Sequence, residues 1–225
     1  MRKIATKYSD FHFFVSGDSP KLLIHSGTHG DESEVTEYVT MALQKYSKEL
    51  PDFIFVPEVS PSAVKRGTRN NYLNHDMNRK FFSDSNDPEV RANIEVMMGN
   101  KFDLFISFHE DPSGPDYYLY DVAYRKATNE RVLIHNQLLK RHGVGLLNGV
   151  DDPEDESLGY VFSEGYHKLD FQQSSLDDGT ISAWVLNRHI ADEYLLPEIP
   201  GKADLKTKRF IVESFFTEVV LKLFE

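Results

Sequence analysis

Short apolar runs that alternate with helical patterns limit the fold of this chain more strongly than any other feature. Lys21 to His25, Phe53 to Val56 and Leu104 to Phe108 are four or five residues long and almost wholly apolar. Strands that are buried on both faces of a parallel sheet have this composition, and they are shorter than helices. Polar or helical segments separate the runs. The sequence therefore predicts an α/β protein, a three-layer α/β/α sandwich around a mixed, mainly parallel sheet.

Further elements follow from periodicity and turn signals. Apolar residues recur at helical spacing after Glu32 up to Tyr46, which predicts an amphipathic helix that ends before Pro51. Phe11 to Val15 is a further strand, and the turn-prone residues after it suggest a hairpin with, or a place beside, the strand at Lys21 to His25. We also expect strands at Tyr117 to Tyr120 and Glu193 to Leu196, a polar loop at Ser60 to Arg79, and helices at Pro88 to Met98, Asn129 to His142, Thr180 to His189 and Lys206 to Phe224.

Length and composition restrict the class of function. At 225 residues the chain is expected to form one domain, 1–225. A net charge of -11 argues against nucleic-acid and anionic-membrane partners, which need clustered basic residues. Without cysteine, a metal would have to be bound by histidines and carboxylates. The N-terminus lacks the apolar region of a secretory signal and no apolar run reaches the ~20 residues of a membrane span, so we expect a cytoplasmic protein.

His29 and Glu32 form the first part of a candidate metal site. The two residues between them allow both side chains to converge on one ion, and zinc accepts this nitrogen and oxygen pair. His-x-x-Glu alone is common by chance, and a catalytic site needs a third ligand. His109 is the best-placed candidate because ligands in an open α/β sheet gather beyond the carboxyl ends of the strands. Packing or surface roles are the simpler explanation for the histidines at 25, 75, 135, 142 and 189.

A polar segment rich in arginine precedes the second half of the chain. Arg66 to Arg69 and Asp76 to Phe81 place guanidinium groups and an amide near the same strand ends. Arginine binds carboxylates through two hydrogen bonds and stabilises oxyanions. Alone, this segment would be a surface loop with ordinary salt bridges, but beside a metal it predicts substrate binding. The acidic stretch Asp151 to Glu156 is interpreted as a solvated loop without chemistry.

Three segments together resemble the aspartoacylase and succinylglutamate desuccinylase family, which belongs with the zinc carboxypeptidases. They are Gly27 to Glu32 (GTHGDE), Pro61 to Arg69 (PSAVKRGTR) and Asp76 to Phe81 (DMNRKF), and they occur in the family's order with similar spacing. The similarity is clearest from Leu22 to Glu110. It implies a zinc carboxypeptidase-like fold.

The resemblance also implies roles for single residues. The three candidate metal ligands match those that bind one zinc ion per chain. Asn78 and Arg79 match the pair that holds the free carboxylate of the substrate. Arg69 matches the arginine that polarises the scissile carbonyl, with Arg66 as an alternative.

A glutamate that takes a proton from the attacking water and protonates the leaving amine completes such a site. Glu198 is the first choice, because Leu196 to Gly201 resembles a strand-end Glu-x-Pro segment of carboxypeptidase relatives. Glu164 is the rival. After Glu198 the chain predicts one amphipathic helix in place of the β-rich C-terminal region of aspartoacylases, a compact form. A tyrosine often binds substrate in these enzymes, and Tyr120, Tyr160 and Tyr166 are all candidates.

These features together predict a zinc-dependent hydrolase that cleaves an amide bond next to a free carboxylate. The substrate would be a peptide, as for a carboxypeptidase, or a small N-acyl amino acid, as for a deacylase. The loops at Pro112 to Asp116 and Asp151 to Asp178 would choose between them. The alternative is a catalytically silent protein of the same fold that binds a carboxylate ligand. A metal-free α/β hydrolase is disfavoured because the chain has no Gly-x-Ser-x-Gly elbow.

Overall fold

Nine strands of the described residues form a mixed sheet at the centre of the fold. The computed structural model describes residues 1–8, 10–152, 158–171 and 176–225. The strands are β1 (Arg2–Ala5), β2 (His12–Ser16), β3 (Leu22–His25), β4 (Phe53–Val56), β5 (Phe102–Ser107), β6 (His109–Asp111), β7 (Tyr118–Asp121), β8 (Gly149–Val150), β9 (Val161–Phe162), β10 (Tyr166–Lys168) and β11 (Ala191–Pro200). The helices are α1 (Glu34–Tyr46), α2 (Pro61–Arg66), α3 (Pro88–Met97), α4 (Lys126–Arg141), α5 (Ile181–Asn187), α6 (Leu205–Phe215) and α7 (Leu221–Phe224), with a π-helical segment, Phe216–Val220, between the last two.

The strand order is β1-β2-β4-β3-β5-β11-β7-β10, and β6 continues the line of β5 along β11. Strands β4, β3, β5 and β11 run parallel, as do β7 and β10, whereas β1, β2 and the contact of β7 with β11 are antiparallel. The short apolar runs are the fully buried strands of the parallel part. The mixed, mainly parallel sheet of the sequence prediction is confirmed.

Helices cover both faces of the sheet. Side chains alternate between the faces along each strand, so that Leu22 and Ile24 pack with α1, α4 and α6, while Leu23 packs on the opposite face with α3 and α5. The result is the three-layer sandwich that the alternation of strands and helices predicts. Within the described ranges, no helix is long and apolar enough to span a bilayer.

The prediction that β2 and β3 form a hairpin or lie side by side is wrong. Strand β4 lies between them, antiparallel to β2 and parallel to β3. The turn that joins the two strands packs on the start of β4, where the carboxylate of Asp52 accepts the N–H groups of Asp18 and Ser19 at 3.0 Å. A wholly apolar strand such as β3 belongs in the interior of the sheet, and β4 provides its second neighbour there.

The predicted polar loop at Ser60 to Arg79 is also partly wrong, because it begins with α2. Pro61 is at the first position of this helix, where its missing N–H costs nothing. Gly67 ends the helix in the left-handed conformation, with φ of 62°, and its N–H donates to the carbonyl of Val64 at 3.1 Å. The helix is too short for its period to be recognised in the sequence.

Candidate metal centre

His29, Glu32 and His109 meet at the carboxyl ends of neighbouring strands. His29 and Glu32 follow β3, in the loop and the short 3₁₀ helix Gly30–Glu32 that lead into α1. His109 begins β6, directly after the break that follows β5, where the N–H of Phe108 donates to the carbonyl of His25 at 2.9 Å. All three are at most 4% exposed. Topology therefore places three buried polar side chains together, as strand ends in a parallel sheet do.

Close backbone packing fixes the loop of His29. The N–H of Gly30 donates to the carbonyl of Thr68 at 2.9 Å. A Cβ atom at Gly30 would lie only 1.9 Å from the carbonyl oxygen of Ala63 in α2, so only glycine fits. The loop of His29 is thus held against the segment that carries the arginines.

The donor atoms converge on one small volume. Glu32 Oε1 lies 2.7 Å from His29 Nδ1, and Glu32 Oε2 lies 2.9 Å from His109 Nδ1. One donor atom from each residue falls within 4.8 Å of the others. Two imidazole nitrogens and one carboxylate are ligands that zinc accepts, and three protein ligands leave a position open for water or substrate. The residues therefore fit a catalytic zinc ion.

The outer nitrogens of both imidazoles have partners as well. His29 Nε2 lies 3.1 Å from Asp76 Oδ1, and His109 Nε2 lies 3.1 Å from Ser107 Oγ. Such partners orient the rings of metal-binding histidines and fix their tautomers. Sequence reasoning gave neither residue a role, although Asp76 stands first in the motif Asp76 to Phe81.

The charges of the centre favour a cation. Burial lowers the pKa of His29, but the carboxylates of Glu32 and Asp76 outweigh it and raise that pKa to about 9. Burial raises the pKa of Glu32, yet His29 and His109 hold it well below its usual value. Two carboxylates thus stay ionised beside the histidines, and they would compensate the charge of a bound dication.

Arg69 faces the same carboxylates. Its Nε donates to Asp76 Oδ2 at 3.0 Å, and Nη1 lies 3.6 Å from Glu32 Oε1. The rival Arg66 is turned away, since its Nη1 donates to the carbonyl of Asn71 and its side chain does not line the cleft.

Asn78 and Arg79 line a cleft of about 970 Å³ that also contains the metal centre. The carboxylate of Asp76 accepts the N–H of Asn78 at 2.8 Å, which fixes the start of the short helix Met77–Arg79. The amide oxygen of Asn78 accepts the N–H of Ile181 at 3.1 Å, which leaves the NH₂ group as the donor. The structure brings both residues to the wall beside the proposed ligands.

Glu198 lies in β11 directly opposite His109 in β6. It lines the cleft, where burial and the nearby carboxylates of Glu32 and Asp111 raise its pKa well above the usual value, against the effect of Arg69. The rival Glu164 is 52% exposed, pairs with Lys140 and is not among the lining residues. The structure therefore places Glu198, and not Glu164, beside the candidate metal ligands.

Two of the three candidate tyrosines reach the cleft. Tyr120 and Tyr160 line it, together with Tyr118, which sequence reasoning overlooked. Tyr166 does not line it, because its hydroxyl donates to Asp121 at 2.9 Å.

The acidic stretch contributes to the same wall. Asp151 lines the cleft and accepts a hydrogen bond from the hydroxyl of Tyr120, so a solvated loop does not describe this residue. Residues 153–156 of the stretch lie outside the described ranges.

Comparisons with known proteins agree on family and fold. The succinylglutamate desuccinylase/aspartoacylase catalytic domain matches residues 18–172. A candidate metallopeptidase of Shewanella denitrificans OS217 is 19% identical, with a TM-score of 0.74 over 98% of this chain and 84% of its own. No curated protein matches the chain.

Larger relatives share the fold over part of their length. A succinylglutamate desuccinylase/aspartoacylase of Rhodobacter sphaeroides is 17% identical, with a TM-score of 0.56 over 92% of this chain and 58% of its own. A metallo-carboxypeptidase of Pseudomonas aeruginosa, in complex with (2-guanidinoethylmercapto)succinic acid, is 16% identical, with a TM-score of 0.61 over 95% and 59%. At these identities the likeness shows the zinc carboxypeptidase-like fold.

Proposed function

Because the chain belongs to the succinylglutamate desuccinylase/aspartoacylase catalytic-domain family, we propose that residues 1–225 form one zinc-hydrolase domain that cleaves an amide bond next to a free carboxylate. The observation that carries the proposal is the convergence of His29, Glu32 and His109 within 4.8 Å, beside Glu198. The three residues would hold one zinc ion, which when bound would supply a Lewis acid for the scissile carbonyl and lower the pKa of a water molecule.

Glu198 acts as the general base and then as the general acid. Its carboxylate takes a proton from the attacking water and later delivers it to the nitrogen of the leaving amine. The raised pKa of Glu198, caused by burial and nearby carboxylates, supports this role, because it makes the carboxylate a stronger proton acceptor.

Three further residues bind and polarise the substrate. Arg69 reaches the centre from the side of Asp76, where its guanidinium stabilises the negative charge that develops on the carbonyl oxygen. Arg79 and the NH₂ group of Asn78 bind the free carboxylate. The leaving amine is then part of an amino acid, either the last residue of a peptide or the amine of an N-acyl amino acid. The succinic acid derivative bound by the relative from Pseudomonas aeruginosa supports a carboxylate ligand.

A carboxylate-binding protein without catalysis is the alternative. It would keep the function of Arg79 and Asn78, but would need neither two histidines with oriented rings nor a glutamate with a raised pKa. The oriented rings of His29 and His109 favour the enzyme, because outer partners of this kind accompany metal ligands.

The proposal is tested by Glu198→Gln in zinc-loaded protein, assayed on blocked dipeptides and N-acyl amino acids. We expect kcat to fall by about 10²–10⁴-fold, the usual contribution of a general base, with zinc still bound. Glu164→Gln is the matched control and should keep wild-type turnover, since that side chain is exposed and pairs with Lys140. Full activity of Glu198→Gln, or its loss in Glu164→Gln, would refute the assignment of the base.

A further inference from the structure

Lys208 of α6 is a buried lysine that reaches the segments carrying the proposed ligands. Its side chain is 5% exposed, and Nζ lies 3.0 Å from Glu110 Oε1 and 2.7 Å from Glu34 Oε2. A buried ammonium group is unfavourable unless anionic partners compensate it. Helix α6 contributes no residue to the described lining of the cleft. The two glutamates, and not the cleft, therefore explain why this lysine is buried.

Glu110 joins the two parts of the metal centre. It follows His109 directly, is 3% exposed, and has no part in the proposed reaction. Its Oε2 accepts the N–H of Val35 at 3.2 Å. Val35 belongs to the first turn of α1, three residues after Glu32. One carboxylate thus links the strand that begins with His109 to the helix that follows Glu32.

The ligands depend on such a link because they are distant in sequence. Glu32 and His109 are 77 residues apart and lie on separate elements. Zinc requires its nitrogen and oxygen ligands at about 2.0–2.2 Å, so a small shift of one segment relative to the other weakens binding. Lys208 contacts both segments. It pairs with Glu110 in the segment of His109 and with Glu34 in the segment of Glu32.

We propose that Lys208 and Glu110 are positioning residues of the metal centre, whose ion pair holds the His29–Glu32 segment and the His109 segment at the spacing that zinc requires. The inference rests on the metal site of the proposed function. The packing of α6 on α1 does not need the ion pair, because buried apolar residues of both helices, among them Val39 and Ile211, belong to one core cluster.

The test uses Lys208→Met, Glu110→Gln and the double variant. Methionine keeps the apolar stem of the lysine and removes its charge, while glutamine keeps the shape of Glu110. Zinc affinity is measured by competition with a chromophoric chelator, at a temperature at which each variant is folded, and the absorption spectrum of the Co²⁺-loaded protein reports the geometry of the ligands. Each single variant should bind zinc about 10–100-fold more weakly, the usual effect of losing an outer partner. The double variant should bind zinc at least as tightly as the single variant with the lower zinc affinity, because both changes remove the same contact.

Arg125→Met is the matched control. Arg125 pairs with Glu193, which is 2% exposed, in an ion pair that does not line the cleft. This variant should be less stable but should keep the wild-type zinc affinity and Co²⁺ spectrum. An unchanged affinity in folded Lys208→Met and Glu110→Gln, or an equal loss in Arg125→Met, overturns the inference. If Lys208→Met does not fold, Glu110→Gln decides alone. Failure of the wild type to bind zinc would instead contradict the proposed function.

Discussion

Arg66 and Arg79 are equivalent in a pattern of residue types but not in the folded chain. Both are arginines of one polar segment, yet Arg79 lines the cleft while Arg66 donates to the carbonyl of Asn71 outside it. The two residues belong to different elements, Arg66 to the end of α2 and Arg79 to the end of the short helix Met77–Arg79. Residue type therefore gave the candidates, and backbone geometry separates them.

Replacing Arg79 by alanine tests the binding of the free carboxylate. We expect KM to rise strongly for a substrate with a free carboxylate and much less for the same substrate as an amide, because in the proposed function the guanidinium binds only the charged group. The measurement is a comparison of steady-state kinetics on the two substrates. Arg66→Ala serves as the control and should leave both KM values unchanged. Equal effects of Arg79→Ala on both substrates would exclude the proposed role.

Single residues of the site were predictable to the extent that they follow strands. The sequence predicts His29 and His109 as ligands because each follows a buried apolar run, and the structure brings both beside Glu32. The roles of Asp76 and Ser107 were not predictable, because each depends on which way an imidazole ring turns in the folded protein. No periodicity in a sequence contains that information.

At the scale of elements, the contact between the loop of His29 and α2 fixes the relative positions of the candidate site residues. Gly30 lies against the backbone of Ala63, and Thr68 accepts the N–H of Gly30 just after α2 ends. Arg69 follows Thr68 and reaches Asp76 and Glu32 from there. A single close backbone contact thus sets the distance between the loop of the proposed ligands and the arginine.

Gly30→Ala should disturb this contact. The new methyl group would overlap the carbonyl of Ala63, so either α2 or the loop of His29 must move. We expect weaker zinc binding and a lower free energy of unfolding, measured by chelator competition and urea denaturation. Gly99→Ala is the control: its methyl group meets open space and only backbone strain of about 1–2 kcal/mol is added, so zinc affinity should stay unchanged. Wild-type zinc binding in Gly30→Ala would show that the contact does not position the ligands.

The pairing of elements was less predictable than the elements themselves. The apolar runs and helical periods gave strands β3, β4 and β5 and helices α1, α3 and α4 close to their observed bounds, whereas the single helix predicted at Lys206 to Phe224 is divided into α6 and α7 by a π-helical segment. The pairing of β2 with β4 was missed because the two strands are distant in sequence. Local turn signals cannot distinguish a hairpin from a crossing to another strand.

At the scale of the whole molecule, the net charge of -11 and the proposed anionic substrate oppose each other. The cleft wall adds further carboxylates, among them Asp111, Asp151 and Asp177, whereas Arg69 and Arg79 are its arginines among the described residues. Long-range repulsion should therefore slow the approach of an anion, which the arginines and the proposed zinc ion would attract only at short range. The composition alone predicts that an anion is repelled, but not that carboxylates of the cleft wall contribute to the repulsion.

The rate of association should accordingly depend on salt and on substrate charge. Between ~0.02 and ~0.3 M NaCl, kcat/KM should rise for an N-acyl amino acid with two carboxylates, because salt screens the repulsion. For a peptide of similar size that ends in lysine, kcat/KM should rise less with salt or fall, because the lysine side chain is positively charged. Parallel salt dependence for the two substrates would mean that the field of the protein does not influence their capture.

The central claim is that His29, Glu32 and His109 hold a catalytic zinc ion. The most direct measurement is the metal content of purified, zinc-loaded wild type and Glu32→Gln after dialysis, by mass spectrometry of the elements and with hydrolysis assayed on the same samples. We predict about one zinc per wild-type chain, as three nitrogen and oxygen ligands imply, and loss of both metal and activity in Glu32→Gln. Zinc retained at the wild-type level in Glu32→Gln, or a wild type that hydrolyses its substrate without metal, would contradict the claim.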